Sequence, residues 1–136
     1  MIKEDISLAL DYLKNSSPIY SDFSVASVLT DVDGNKFVGV NVELPSLTNG
    51  ICAERNALYH AIAEGSKKYK RIVVVGGLHG EVTQLTPPCC VCRQALMDTC
   101  DPETFEIVVA INEEDYKVFK LKDLVPMGFG PDRLED

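Results

Sequence analysis

Two short cysteine segments stand where helical periodicity begins, Cys52-Ala53-Glu54-Arg55 and Pro88-Cys89-Cys90-Val91-Cys92. Between them runs Arg71-Ile72-Val73-Val74-Val75-Gly76-Gly77, an apolar stretch that reads as a buried strand. A helix tip presents unpaired N–H groups and partial positive charge, which favours thiolate over thiol. Cys89 and Cys92 are three apart and share a helix face. With Cys52 from the neighbouring helix they make three ligands, and zinc, which prefers four, keeps one position for water. A structural site would use a fourth protein ligand, so three is the catalytic pattern. The constraint on the fold is that the two helix tips must meet.

Taken alone, Pro88-Cys89-x-x-Cys92 also fits a redox pair or half of a structural zinc site. Its pairing with Cys52-Ala53-Glu54 favours catalytic zinc. Five cysteines cannot all pair within one chain, and clustered thiols in a cytosolic protein point to metal or catalysis before disulfides. Cys90 faces away from Cys89 and Cys92 on the helix and reads as a small buried residue, although it remains the ambiguity in ligand assignment. Cys100, in the Asp98-Thr99-Cys100-Asp101-Pro102 turn, reads as structural or incidental. His60 lies about 12 Å along the helix from Cys52 and is too far to share its metal. His79 sits in a glycine-flanked loop with no site to pair with, and both histidines read as non-catalytic.

Glu54, two residues after Cys52, projects beside the metal without ligating it. From there it can take a proton from a bound water and hand it to a leaving group. Three thiolates push electron density onto zinc and make that water less acidic. A compensating cation is therefore expected close by, and Arg55 is the candidate.

Elsewhere the pattern alternates helix and strand. Ile6, Ala9, Leu10 and Leu13 recur at helical spacing, predicting a first helix from about residue 4 to 14. Phe23-Ser24-Val25-Ala26-Ser27-Val28-Leu29-Thr30, the turn Asp31-Val32-Asp33-Gly34-Asn35, and Lys36 to Glu43 read as a β-hairpin. Ala53, Ala57 and Ala61 give the second helix a small face, and Gly65 ends it. Two more strands, Phe105 to Ile111 and Tyr116 to Leu121, precede a terminal segment. The order α-β-β-α-β-α-β-β-α predicts an α/β fold, a mixed sheet with helices on its faces. No linker divides the 136 residues, which read as a single domain.

The net charge of −8 repels a phosphate backbone, and no basic stripe compensates, so polymeric nucleic acid is not an expected partner. Lys67, Lys68, Lys70 and Arg71 follow a helix end, where they read as complementing its dipole. The N-terminus lacks the apolar run of a secretion signal, and no stretch reaches the roughly 18 apolar residues of a membrane helix, so a cytoplasmic protein without membrane contact is expected.

A Cys or His, then Glu, then P-C-x-x-C is the signature of the zinc deaminases. The resemblance extends over nearly the whole chain. Tyr20-Ser21-Asp22-Phe23, Gly39-Val40-Asn41-Val42-Glu43, Gly50-Ile51-Cys52-Ala53-Glu54-Arg55, Pro88-Cys89-x-x-Cys92-Arg93-Gln94 and Leu124-Val125-Pro126…Phe129-Gly130-Pro131 resemble the small cytidine deaminases, in order and at compatible spacing. That resemblance implies a three-layer α/β/α sandwich around a five-stranded mixed sheet, and a homotetramer whose pockets neighbouring subunits complete. It implies one zinc per subunit on Cys52, Cys89 and Cys92, with Glu54 as proton shuttle. It also implies substrate contacts from Phe23, Asn41, Glu43, Ala53 and Phe129, with Arg55 and Gln94 supporting the centre. Asn41 and Glu43 would bind the ribose hydroxyl, Phe23 would stack near the pyrimidine, and Phe129 would close the pocket of another subunit. The implied reaction is hydrolytic deamination of cytidine and deoxycytidine to uridine and deoxyuridine, a step of pyrimidine salvage.

The pattern departs from the family at Leu44-Pro45-Ser46-Leu47-Thr48-Asn49, where an Asn-Ala and polar or aromatic residues are usual, which bears on sugar preference. Ser24-Val25-Ala26-Ser27 resembles the related blasticidin S deaminases, but those lack the Glu found here at position 43. Deamination of another aminopyrimidine nucleoside or a blasticidin S-like antibiotic is the first alternative. A non-catalytic zinc or nucleoside-binding protein is the second, and Glu54 argues against it.

Overall fold

The computed structural model describes residues 1–134. Strands β1 (Phe23–Asp31), β2 (Lys36–Val40), β3 (Tyr69–Leu78), β4 (Glu106–Ala110) and β5 (Tyr116–Lys120) form one sheet in the order β2-β1-β3-β4-β5. The β3–β4 pair is parallel and the other three are antiparallel, so the sheet is mixed, as the element order predicts. The helices are α1 (Ile2–Tyr12), α2 (Ala53–Ala63), α3 (Cys90–Thr99) and the single-turn α4 (Leu121–Leu124). The first helix begins two residues before the expected start and ends as a 3₁₀ turn over Leu13–Asn15, which keeps Leu13 on the buried face.

Strand alternation sends side chains to two cores. On one face Ile6, Ala9 and Leu13 of α1 cover Ala26, Val28, Val73, Val75 and Val108. On the other, Ala57, Leu58 and Ala61 of α2 and Leu96 and Met97 of α3 cover Leu29, Ile72, Ile107 and Val109. The result is the three-layer α/β/α sandwich, with α3 supplying the crossover between parallel β3 and β4. Among the described residues no helix is long and apolar enough to cross a membrane.

One buried polar cluster ties α1 to the sheet. The Asp5 carboxylate, fully buried, accepts hydrogen bonds from Thr30 Oγ1 (3.0 Å) and Arg71 Nε (3.1 Å) and pairs with Lys36 Nζ at 2.5 Å. The residue expected in a basic patch at a helix end is thus instead an inward position of β3: Arg71 is 6% exposed and serves the core. Burial alone would raise the Asp5 pKa, but Lys36, Thr30 and Arg71 outweigh it and hold the carboxyl below its ordinary range.

The small face of α2 positions the functional end of the molecule. Ala53, Ala57 and Ala61 are fully buried, and the helix lies so close to β2 that a Cβ on Gly39 would stand 2.3 Å from the Ala57 nitrogen and 2.4 Å from the Ala53 oxygen. Gly39 and these alanines therefore set the depth at which the N-terminus of α2 meets the sheet.

A three-sulfur centre and its cleft

Cys52 is the N-cap of α2 and Cys89 the N-cap of α3, both with extended backbone. Neither side chain caps its own helix, so both sulfurs are free to face one another. Cys92 lies one turn into α3 and is fully buried. The sulfurs of Cys52, Cys89 and Cys92 all lie within 4.8 Å of one another. Cys52 Sγ and Cys89 Sγ are 3.7 Å apart, too far for a disulfide. With zinc–sulfur bonds of ~2.3 Å, tetrahedral angles place ligand sulfurs about 3.8 Å from each other. The donor set and its spacing fit zinc, and among the described residues no fourth His, Cys, Asp or Glu joins the group.

Arg55 stands in α2 behind the centre and donates from Nη2 to Cys52 Sγ at 3.5 Å. The hydrogen bond with Cys92, opposed by burial and helped by the Arg55 guanidinium, favours the Cys52 thiolate and holds its pKa well below the usual thiol range. Cys92 is pushed the other way, by its hydrogen bond to Cys52 and by burial. Glu54 is 4% exposed. Burial, with the nearby Cys52 charge adding to it against Arg55, pushes its pKa up to about 7. A carboxyl poised there can both carry and release a proton near neutral pH.

A cleft of about 610 Å³ opens onto this centre. Cys52, Ala53, Glu54, Arg55 and Cys89 form its floor, together with Asn41, Glu43, Tyr20 and Ser21 from the strand side. Asn41 is buried, and its side chain bonds the backbone of β1, accepting from Val25 N–H (2.9 Å) and donating to the Phe23 carbonyl (2.8 Å). Glu43 accepts from the Tyr20 and Ser21 N–H groups (2.8 and 2.9 Å) and from Ser21 Oγ (2.5 Å), and these bonds hold its carboxyl below the ordinary range. Both side chains therefore build the wall of the cleft as well as facing into it.

Phe23, expected beside the pyrimidine, and Gln94, expected to support the centre, do not line the cleft, and Phe129, expected to close the pocket of another subunit, does not line its own. The ring edge of Phe23 lies beside Gly76, where the Thr86 methyl also packs. Phe129 is 57% exposed at the far end of the chain, and its carbonyl accepts a hydrogen bond from Gln94 Nε2 at 3.0 Å. Gln94 also bonds Asp98 and lies on an outer groove with Arg55, Tyr59 and Cys90. Cys90 is exposed and not the small buried residue expected, because the first turn of α3 turns it outward while Cys92 faces in. It lies outside the three-sulfur group. Cys100 packs against the core.

Sequence reasoning missed two wall residues, Thr86 and Pro87, which line the cleft from the loop before α3. Leu44 and Leu47 also line it, from the loop whose departure from the family pattern bears on sugar preference. Arg93 belongs to the Pro88-Cys89-x-x-Cys92-Arg93-Gln94 motif, and its role is visible only in the fold. It donates from Nε to the Pro88 carbonyl (2.8 Å) and from Nη1 to the Leu124 carbonyl (3.0 Å), fixing the cysteine loop to the C-terminal segment. Its position directly after Cys92 was the available signal.

Residues 2–109 match the family model for the cytidine and deoxycytidylate deaminase zinc-binding region. The chain is 33% identical over 119 residues to a cytidine deaminase of Halalkalibacterium halodurans, covering 86% of this chain and 85% of the relative. It is 36% identical over 124 residues to a probable cytidine deaminase of Dictyostelium discoideum, covering 88% and 79%. The crystal structure of cytidine deaminase from Burkholderia pseudomallei superposes with a TM-score of 0.82 at 35% identity, covering 93% of this chain and 97% of that one. That from Mycobacterium tuberculosis gives 0.77 at 28% identity, covering 93% and 95%.

Proposed function

The chain belongs to the cytidine and deoxycytidylate deaminase family, and from that premise we propose that its three sulfurs and Glu54 are the machinery of a zinc-dependent cytidine deaminase. The enzyme converts cytidine and deoxycytidine, with water, to uridine and deoxyuridine plus ammonia. The observation that carries the residue assignment is the convergence of Cys52, Cys89 and Cys92 at two helix tips, with buried Glu54 on the floor of the same cleft.

Zinc on these three thiolates supplies, when bound, Lewis acidity and an activated water at neutral pH. The other roles belong to the chain. Arg55 offsets the negative charge of the thiolates through Cys52. Glu54, two residues from Cys52 and shielded from solvent, holds a proton near neutral pH. It delivers that proton to the ring nitrogen as charge develops there, takes another from the hydroxyl of the added water, and hands it to the amine, which leaves as ammonia. Ala53, which lines the cleft beside Cys52, contributes to substrate binding. Asn41 and Glu43 keep limited hydrogen-bonding capacity after their structural bonds and present it to a sugar hydroxyl. An analogue lacking that hydroxyl leaves them unsatisfied and is penalised.

A homotetramer of single deaminase domains, acting in the cytoplasm in pyrimidine salvage, completes the proposal. Support for assembly comes from exposed apolar side chains on and beside the site helices, Tyr59, Ile62, Val91 and Phe129 among them. In such an assembly Phe129 reaches a neighbouring pocket, which agrees with its distance from the cleft of its own chain. Zinc content measured beside ammonia release from cytidine, deoxycytidine and blasticidin S tests the reading. Equimolar zinc with release from the two nucleosides supports it; release from the antibiotic alone supports the antibiotic deaminase instead.

A further inference from the structure

His79 and Asp22 form a pair that no part of the reaction uses. Each adopts a left-handed backbone conformation, with φ of 59° at His79 and 55° at Asp22, which non-glycine residues enter at a cost. They hold each other there. The His79 N–H donates to the Asp22 carbonyl at 2.7 Å, and His79 Nδ1 bonds Asp22 Oδ2. Two adjacent left-handed positions joined by both backbone and side chain make a clasp between the start of β1 and the end of β3.

The clasp joins two segments of the cleft wall. On one side, Asp22 directly follows Tyr20 and Ser21, which line the cleft and are gripped by the Glu43 carboxylate. The start of that segment is fixed by Ser17, whose N–H donates to the Asn41 carbonyl and whose carbonyl accepts from Glu43 N–H, each at 2.9 Å. On the other side, His79 follows Gly76 and Gly77. Gly76 accepts from Thr86 Oγ1 at 3.1 Å, and Thr86 and Pro87 line the cleft. The strand end and the loop after His79 are so close that a Cβ on Gly77 would stand 1.8 Å from the Glu81 carbonyl oxygen. The β1–β3 ladder pairs Phe23 with Leu78 and Val25 with Gly76, and the clasp extends that registration one residue further, to the turn that leads into the Thr86 segment.

We propose that His79 is a positioning residue for nucleoside binding: through Asp22 it fixes the Tyr20–Ser21 wall against the Thr86–Pro87 wall and so sets the spacing of the cleft. The inference rests on the deaminase reading above. Neither residue touches the three sulfurs or Glu54, so the chemical step is left intact and the loss falls on binding. Both side chains are exposed, at 66% and 62%, which keeps the effect moderate and the fold intact.

The test measures steady-state deamination of cytidine by the zinc-loaded wild type and by H79A, D22A, D22N and the H79A/D22A double variant, with zinc content determined for each. The expected result is a KM raised about three- to tenfold in H79A and D22A at unchanged zinc content, with kcat within about twofold of wild type. D22N, which keeps an acceptor for the imidazole, recovers most of the affinity, and the double variant is no worse than either single one. Unchanged KM in both single variants, or losses that multiply in the double variant, overturns the clasp while leaving the deaminase reading standing. Absence of turnover in the zinc-loaded wild type overturns the deaminase reading and the clasp with it. Should H79A fold poorly, D22A against D22N carries the same comparison from the other partner.

Discussion

The Cys52 and Cys89 sulfurs face each other across 3.7 Å from the N-cap positions of two different helices. A gap of that size is what two ligands of one tetrahedral zinc require, and neither sulfur is needed to cap its own helix. The helix tips meet because α2 and α3 pack on the same face of the sheet, with Ala57, Leu58 and Leu96 sharing one core.

Replacing any one of Cys52, Cys89 or Cys92 by Ala removes a ligand from a three-ligand centre. Zinc content is expected to fall to a minor fraction, ammonia release to be lost, and the Tm to drop, because the ion stabilises only the folded chain. Cys90→Ala is expected to keep full zinc and turnover, since Cys90 is exposed and outside the group. Elemental analysis and a melting curve of the four variants check this.

Gly39→Ala introduces a methyl carbon 2.3 Å from the Ala57 nitrogen, on a backbone that cannot yield without moving α2. The expected cost is on the order of 1–3 kcal/mol, as for overpacked cores. Because the displaced helix begins at Cys52, zinc affinity should fall together with stability. Denaturant unfolding beside a zinc competition titration measures both, and loss of stability without loss of zinc affinity would contradict the link.

Asp5 gives the fold an acid-sensitive joint. Its folded pKa lies below the ordinary 3.8, so the unfolded state binds the proton more readily. The contribution is complete above about pH 4 and is lost as pH falls through the lower folded value. Among the described residues Asp5→Asn leaves Arg71 with no carboxylate partner and Lys36 with only the longer contact to Glu4 (3.8 Å), and it is expected to cost about 3 kcal/mol at pH 7. It should also flatten the dependence of stability on pH below 4. Unfolding free energies from pH 2.5 to 7 for both proteins show whether the two curves converge on acidification.

Much of this was legible in the sequence. The apolar run Ile72-Val73-Val74-Val75 locates a strand because a central strand is covered on both faces, and the turn at Asp31 to Asn35 locates the hairpin. Cys52 and Cys89 betray helix starts because N-caps and thiolates both favour those tips. The contacts that escaped depend on which distant elements pack together. Arg71 stands among Lys67, Lys68 and Lys70, so its charge suggested surface, and only the approach of Asp5 from α1 explains its burial. His79 looks unpartnered in the sequence because Asp22 lies 57 positions away, just before β1. Cys90 was expected to be buried as cysteines usually are, but the turn that sends Cys92 inward leaves it outside.

The most direct test of the whole account is Glu54→Gln, with zinc content and ammonia release from cytidine measured on one preparation. Glu54 sits beside the sulfurs without joining them, so the variant should bind as much zinc as wild type and lose about a thousandfold or more in kcat. A fully zinc-loaded Glu54→Gln protein that deaminates cytidine at near wild-type rate would contradict it.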